Sequence, residues 1–227
     1  SGETYITVKK ATASAHGSDT GWDNAYGDGQ AAFGTEVVAT VYEIGIRFRK
    51  GFYIFDGVVG SGSDPSTYGF AVVPTSASRH QYLVGIPTIG DSSRQVDNVT
   101  VSHTAMVTSG EGTGVYGQFP IYMNGNSSEP SFNITVSNNY IANGSSNLFI
   151  RDINNLTVRD NYFYANWSSP DNHGQQITSA NTNGVKFYNN TLVVSAVFVL
   201  GSHNEAGGDR NWDFYNNIII GGSGAVI

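Results

Sequence analysis

The chain has 227 residues, a formal net charge of −7 and only 13% charged side chains. This acidic balance disfavours nucleic acids and anionic membranes as partners, and no apolar run approaches the roughly 20 residues of a membrane-spanning helix. The chain contains no cysteine, which excludes disulfides and thiolate metal sites.

The first 43 residues lack the regularity of the rest of the chain. Residues 5–8 read as a strand, residues 17–24 as a Gly- and Asp-rich loop, and residues 30–41 fit a short helix or a strand equally well. Stacked repeats need their first coil covered, because an open end exposes core and unpaired backbone. We therefore interpret residues 1–43 as an N-terminal cap and residues 44–227 as the body of one domain.

Three acidic residues of the N-terminal segment are candidate Ca²⁺ ligands. Asp19, Asp23 and Asp28 lie in Gly-rich sequence, and carboxylate oxygens suit this hard cation. Their spacing does not match the alternating ligands of an EF-hand loop. We predict no other cofactor.

Short alternating strands begin at residue 44. Ile44, Ile46 and Phe48 alternate with Gly and Arg, and further strands are predicted at residues 68–73 and 81–86. From residue 98 onward each repeat ends in a second apolar strand. These second strands are predicted at residues 121–123, 149–151, 176–178, 198–200 and 225–227.

A paired-Asn signature repeats through the C-terminal half. When Asn139, Asn161, Asn190 and Asn217 are aligned, the intervals are 22, 29 and 27 residues, and apolar residues fall into register on both sides. Thr104 occupies the same column in an earlier copy. Units this short cannot bury an apolar face alone, so they must stack as a solenoid.

A polar side chain that points inward in every coil needs a partner. An Asn amide carries both a donor and an acceptor, so Asn residues can bond along the stack at the roughly 4.8 Å spacing of strands. This column, with strands before and after it, resembles the right-handed parallel β-helix superfamily of pectin-lyase-like proteins. The resemblance covers residues 98–227 and extends back to residue 44. It implies an all-β, right-handed, single-stranded parallel β-helix with an Asn ladder.

The last predicted strand, at residues 225–227, is followed by nothing that would act as a C-terminal cap. An open coil is a template for pairing with another chain. Either the chain is a fragment of a longer one, or another subunit covers this coil; in the second case we expect self-association through it, head to tail, which would build a fibre.

Seven Asn-x-Ser/Thr sequons are candidate N-glycosylation sites. Asn126, Asn143 and Asn166 lie in predicted loops and are the strongest candidates. Asn189 adjoins the Asn column, so a glycan there would approach the core. The remaining sequons share one position just before a strand, where Asn-x-Thr is also favourable turn chemistry: Asn98, Asn133 and Asn155.

The resemblance implies a lyase site as one alternative. Lyases of this fold use a basic residue to abstract the proton next to a uronate carboxylate, which Ca²⁺ or another cation neutralises. Lys186 shares an outward column with Asp213, so an exposed ion pair is the alternative interpretation there. The available basic and acidic sets are Arg151 with Asp152, Arg159 with Asp160, and Lys186 with Asp213.

A hydrolase site would need clustered carboxylates and a Gly-His-Gly segment, which the sequence lacks. His173 lies in a long predicted loop, and His203 and Glu205 lie at a comparable place in the next coil. Together they would form a metal or acid–base cluster. The alternative is that they are polar loop residues without chemistry.

Three functions remain open from the sequence. We favour an extracellular, non-catalytic scaffold, a fibre, surface or adhesin subunit that carries N-glycans on some sequons, since catalytic signatures are scattered. The chain opens with Ser1-Gly2 and no Met, which fits an exported protein whose signal peptide has been removed. The alternative is a polysaccharide lyase that acts on an acidic glycan. A third is a receptor-binding domain like a phage tailspike, which should trimerise.

Overall fold

The structure is a computed structural model, which describes nine segments of the chain. They are residues 4–16, 20–39, 42–76, 80–87, 95–110, 117–167, 174–195, 198–202 and 208–221.

Within these segments the chain is almost entirely β-structure, apart from single 3₁₀ turns at Asn24–Gly27 and Pro65–Thr67. No helix in the described segments is long and apolar enough to cross a membrane. In chain order the strands are β1 Ile6–Lys9, β2 Ala31–Gly34, β3 Glu36–Ala39, β4 Tyr42–Arg47, β5 Tyr53–Asp56, β6 Phe70–Val73, β7 His80–Gly85, β8 Val99–Ser102, β9 Thr104–Val107, β10 Gln118–Asn124, β11 Ser131–Ser137, β12 Tyr140–Gly144, β13 Ser146–Arg151, β14 Ile153–Arg159, β15 Tyr162–Asn166, β16 Gln175–Ala180, β17 Asn183–Tyr188, β18 Thr191–Val194, β19 Phe198–Ser202, β20 Arg210–Tyr215 and β21 Ile218–Gly221.

The described strands form three stacked sheets of seven. Sheet 1 has the order β1-β5-β8-β11-β14-β17-β20, sheet 2 the order β3-β4-β7-β10-β13-β16-β19, and sheet 3 the order β2-β6-β9-β12-β15-β18-β21. Every pairing is parallel except that of β3 with β4. Because consecutive strands visit sheets 1, 3 and 2 in turn, the strands form a parallel β-solenoid, which confirms the predicted all-β, stacked parallel architecture.

The core lies between the three sheets and is built from inward columns. In sheet 1, Val101, Val136, Val158, Phe187 and Phe214 stand in register in successive coils. The first four of these side chains have no exposed surface, and the rings of the two Phe residues stack at 5.0 Å. Each fully buried apolar side chain contributes about 1.5–3 kcal/mol. Stacking therefore supplies the burial that one coil cannot.

Corner geometry explains why the Asn residues come in pairs. The first residue of each pair lies between sheet 1 and sheet 3 with a positive φ of 54–58°. Asn and Asp tolerate this left-handed conformation better than other residues with side chains. The second residue can then point inward. The corner residues are Asn138, Asp160, Asn189 and Asn216, and His103 takes the same conformation with φ 51° before Thr104.

Strands on both sides of the predicted boundary after residue 43 belong to the stacked sheets, and the antiparallel pairing of β3 with β4 lies at that boundary. β1 pairs with β5 and β2 with β6, both in parallel, so residues before 43 already contribute to the stacked sheets. Residues 31–34 and 36–39 are strands, which decides the helix-or-strand alternative for that segment. That residues 1–43 cap the core remains a prediction. The strand predicted at residues 225–227 lies outside the described residues.

Candidate functional site

The column formed by Asn139, Asn161, Asn190 and Asn217, hereafter the asparagine column, is joined by hydrogen bonds from coil to coil. Each Nδ2 donates to the next Oδ1, at 3.1, 3.0 and 3.1 Å. The same Oδ1 atoms accept from the backbone N–H of the preceding Asn at 2.9, 3.0 and 2.9 Å. The backbone N–H of Thr104 donates to Asn139 Oδ1 at 3.0 Å. These amides therefore hydrogen-bond to the corner backbone and to one another, and they are not available for catalysis.

A second buried polar cluster lies at the edge of sheet 2, and the sequence reasoning missed it. Glu43 has no exposed surface, and its carboxylate accepts from Thr35, Thr75 and Ser76. Burial raises the pKa of Glu43, but these hydrogen bonds outweigh burial and hold the pKa below its usual value. In the next coils Gln81 and Gln118 stand in register with it. The three positions are 38 and 37 residues apart, a regular spacing that the sequence reasoning did not align.

The structure brings Arg151 and Asp152 together at the end of β13. Arg151 Nε lies 3.6 Å from Asp152 Oδ2, and the exposed fractions of the two side chains are 43% and 6%. Asn181 Nδ2 also donates to Asp152 Oδ1. They line a cavity of about 260 Å³ together with residues 124–127. The buried carboxylate is engaged by its neighbours, whereas the guanidinium remains half exposed.

Of the two other basic candidates, Arg159 pairs with Asp160, whereas Lys186 has no acidic partner among the described residues. Lys186 and Asp213 stand in register in adjacent strands of sheet 1 and both are exposed. The expected ion pair does not form between them, because the ion pairs among the described residues are His103–Asp56, Arg151–Asp152 and Arg159–Asp160. Exposed ion pairs are weak enough that register alone does not enforce one.

The cluster of His and Glu residues predicted from the sequence falls outside the described part of the chain. His173, His203 and Glu205 lie outside the described residues, as does Asp19. Asp23 Oδ1 accepts a hydrogen bond from Ala25 N at 2.9 Å and so caps a 3₁₀ turn. Within the part of the chain that the structure describes, no group of three His, Asp or Glu could hold a metal ion.

A His–Asp pair that the sequence reasoning missed lies on the corner between sheets 1 and 3. His103 Nδ1 is 2.7 Å from Asp56 Oδ1, which also accepts from Val58 N at 2.8 Å and from Ser102 Oγ at 3.0 Å. Burial raises the pKa of Asp56, but these hydrogen bonds lower it further than burial raises it. Alignment of His103 with the first member of each Asn pair would have placed it at a corner. Only the stacking of β5 on β8 brings Asp56 to it.

The sequons differ from expectation in their exposure. Asn166 is 3% exposed, its Nδ2 donates to Gly174 O at 2.6 Å, and its Oδ1 accepts from Ser195 N at 3.0 Å. An amide so buried and engaged is a poor acceptor for a glycan, so glycosylation of Asn166 stays a prediction that this burial disfavours. Asn189 is exposed although Asn190 beside it is buried, because they occupy opposite sides of the corner. Asn133 and Asn155 are exposed, and Asn98, Asn126 and Asn143 are half-buried.

A groove with a volume of about 400 Å³ crosses the outer face of sheet 1. Asn98, Asn133 and Asn155 line one side, each with a positive φ of 54–58°. Outward Thr residues from β8, β11 and β14 line its floor, and Tyr5, Gly184 and Lys186 complete it. The Thr residues are Thr100, Thr135 and Thr157.

No family model, no curated protein and no solved structure matches the chain.

Proposed function

We propose that this protein is a non-catalytic β-solenoid scaffold, a fibre, surface or adhesin subunit that works outside the cell. The asparagine column carries this proposal. Its amides bond without interruption through four successive coils, in register with fully buried apolar columns. Such a stack resists bending between coils, which suits a protein that transmits load or displays a surface.

The distribution of charge supports the same function. Arg151 and Arg159 each contact the acidic residue next to them in the chain, so these ion pairs are local. A catalytic site instead needs groups that converge from different elements. We further propose that the winding is right-handed, as nearly all parallel crossovers are, and that residues 1–43 cover the first coil.

Electron microscopy with sedimentation over a wide concentration range tests the scaffold and its end-to-end association. We expect rods that lengthen with concentration. Compact particles of constant mass would contradict association, and turnover of a glycan would contradict a non-catalytic function. Labelling of intact source cells tests the extracellular location.

A polysaccharide lyase is the second candidate, because the half-exposed Arg151 guanidinium borders a cavity of about 260 Å³. An arginine so placed would act on an acidic glycan whose carboxylate a bound Ca²⁺ could neutralise. The test is absorbance of the unsaturated product from uronate polymers, with and without Ca²⁺. Activity lost in Arg151→Ala but kept in Arg159→Ala would establish the lyase, and the second variant is matched because Arg159 also pairs with its chain neighbour.

A further inference from the structure

We propose that the groove on the outer face of sheet 1 binds an extended, neutral polysaccharide that runs across the strands, parallel to the solenoid axis. This binding site rests on the proposed scaffold function and gives it a partner. It lies away from the Arg151 cavity, which is at the end of a strand of sheet 2.

The first support is the chemistry of the lining. Amide and hydroxyl groups can both donate to and accept from sugar hydroxyls. The hydroxyls of Thr100, Thr135 and Thr157 make no hydrogen bond to the described part of the protein, so they are available to a ligand. Asn133 Nδ2 donates to Asn98 Oδ1 at 3.2 Å, which holds two of the amides in line along the axis.

The second support is repetition. Thr100 pairs in register with Thr135, Thr135 with Thr157, and Thr157 with Lys186. Neighbouring strands lie about 4.8 Å apart, so these side chains form a row with that period. This period is close to the length of one sugar ring in an extended chain. A polymer along the axis would therefore meet the same kind of group at each coil.

The third support is a gap in the Asn row. Gly184, with φ 70°, follows Asn98, Asn133 and Asn155 in the lining of the groove. A Cβ atom at Gly184 would lie 2.8 Å from Asn155 Oδ1. The missing side chain leaves the groove open where it reaches Lys186.

Aromatic rings lie at both ends of this face. Tyr5 is 44% exposed, and its ring and that of Phe52 form a T-shaped contact at 5.6 Å. At the other end Tyr188 and Tyr215 stack at 4.9 Å with an interplanar angle of 3°. Tyr215 is 45% exposed, so an outer ring face can pack against a sugar.

The local charge favours a neutral polymer. Lys186 is the charged residue that lines the groove, and Asp213 stands opposite it in the next strand. The two charges nearly cancel at this end, and the Asn and Thr row adds none. A polyanion would gain little from this face of an acidic protein.

Calorimetry and affinity electrophoresis measure the binding of three soluble neutral polysaccharides: a β-glucan, a mannan and a xylan. Polygalacturonate is the anionic comparison. We expect at least one neutral polymer to bind, and the double variant Thr135→Val/Thr157→Val to weaken binding about tenfold, since two hydrogen-bonding groups are lost. Thr191→Val, on the outer face of sheet 3, is the matched control and should bind normally. Gly184→Asn should also abolish binding, because the added side chain fills the gap.

No binding to any neutral polymer, equal binding by the double variant, or preference for polygalacturonate would overturn the proposal. If the double variant does not fold, Gly184→Asn decides alone. An N-glycan found on Asn133 or Asn155 of the native protein would also overturn it, because that glycan would occupy the groove. Depolymerisation of the bound polymer would refute the non-catalytic scaffold while it left the binding site intact, so the two failures are distinguishable.

Discussion

Replacement of Asn161 by alanine should be among the most damaging single changes in this protein. The side chain is 2% exposed and makes four hydrogen bonds. Its Nδ2 donates to Val136 O at 3.0 Å and to Asn190 Oδ1 at 3.0 Å. Its Oδ1 accepts from the backbone N and from Nδ2 of Asn139, at 2.9 and 3.1 Å. The Asn161→Ala variant loses all four.

The magnitude follows from what is left behind. The backbone N–H of Asn139 becomes a buried donor without its partner, at a cost of about 1–3 kcal/mol, and each further lost bond costs about 0.5–1.5 kcal/mol. The expected loss is about 2.5–7.5 kcal/mol. That is a large share of the 5–15 kcal/mol by which native domains are typically stable.

Urea unfolding followed by far-UV circular dichroism measures this loss from the transition midpoint and slope. Asn154→Ala is the matched control, because Asn154 is half-buried in the same strand region and its side chain makes no hydrogen bond to the described residues. We expect the control to stay within about 0.5 kcal/mol of the parent. If Asn161→Ala were equally mild, the asparagine column would not hold the coils together.

Three further outcomes are expected. The folded-state pKa of Glu43 lies below its unfolded value, so its carboxylate contributes stability that is complete above the ordinary glutamate pKa and is lost as the pH falls through the folded pKa. The difference in unfolding free energy between the parent and Glu43→Gln should therefore shrink on acidification. A difference that grows would contradict this. In Gly57→Ala the new Cβ would lie 2.1 Å from His103 O, so we expect a lower melting temperature and a loss of about 1–3 kcal/mol of unfolding free energy. Gly34→Ala is the control: its new Cβ would have no atom within 4 Å, so the variant should melt like the parent. In a host that glycosylates, peptide mapping should find no glycan on Asn166, which is buried at the end of β15, and any glycans on exposed sequons such as Asn189. A glycan on Asn166 would contradict its burial.

Repetition made the fold predictable. The spacing of Asn139, Asn161, Asn190 and Asn217, with apolar residues in register, predicts stacked parallel strands, and the structure stacks them so. A solenoid is specified by local periods, because every coil repeats the same strand pattern and contacts only its neighbours. The N-terminal limit of the stack was harder to predict, because β1 and β2 join the sheets without carrying the Asn signature.

The site residues depended on contacts that no period encodes. Asp56 and His103 meet because β5 stacks on β8 across 47 residues of chain. Asn166 resembles a loop sequon, yet it is buried by its bonds to Gly174 and Ser195. Lys186 and Asp213 share a register without pairing.

The sequence by itself determined the stacked strands of residues 98–221 and the polar column, because these follow from alternation and from the hydrogen-bonding needs of a buried amide. Only the tertiary structure decided which polar groups are buried, which are paired and which line an open groove. The reason is that the turns between strands differ in length from coil to coil. The positions of side chains on neighbouring coils therefore depend on the whole stack and not on any single repeat.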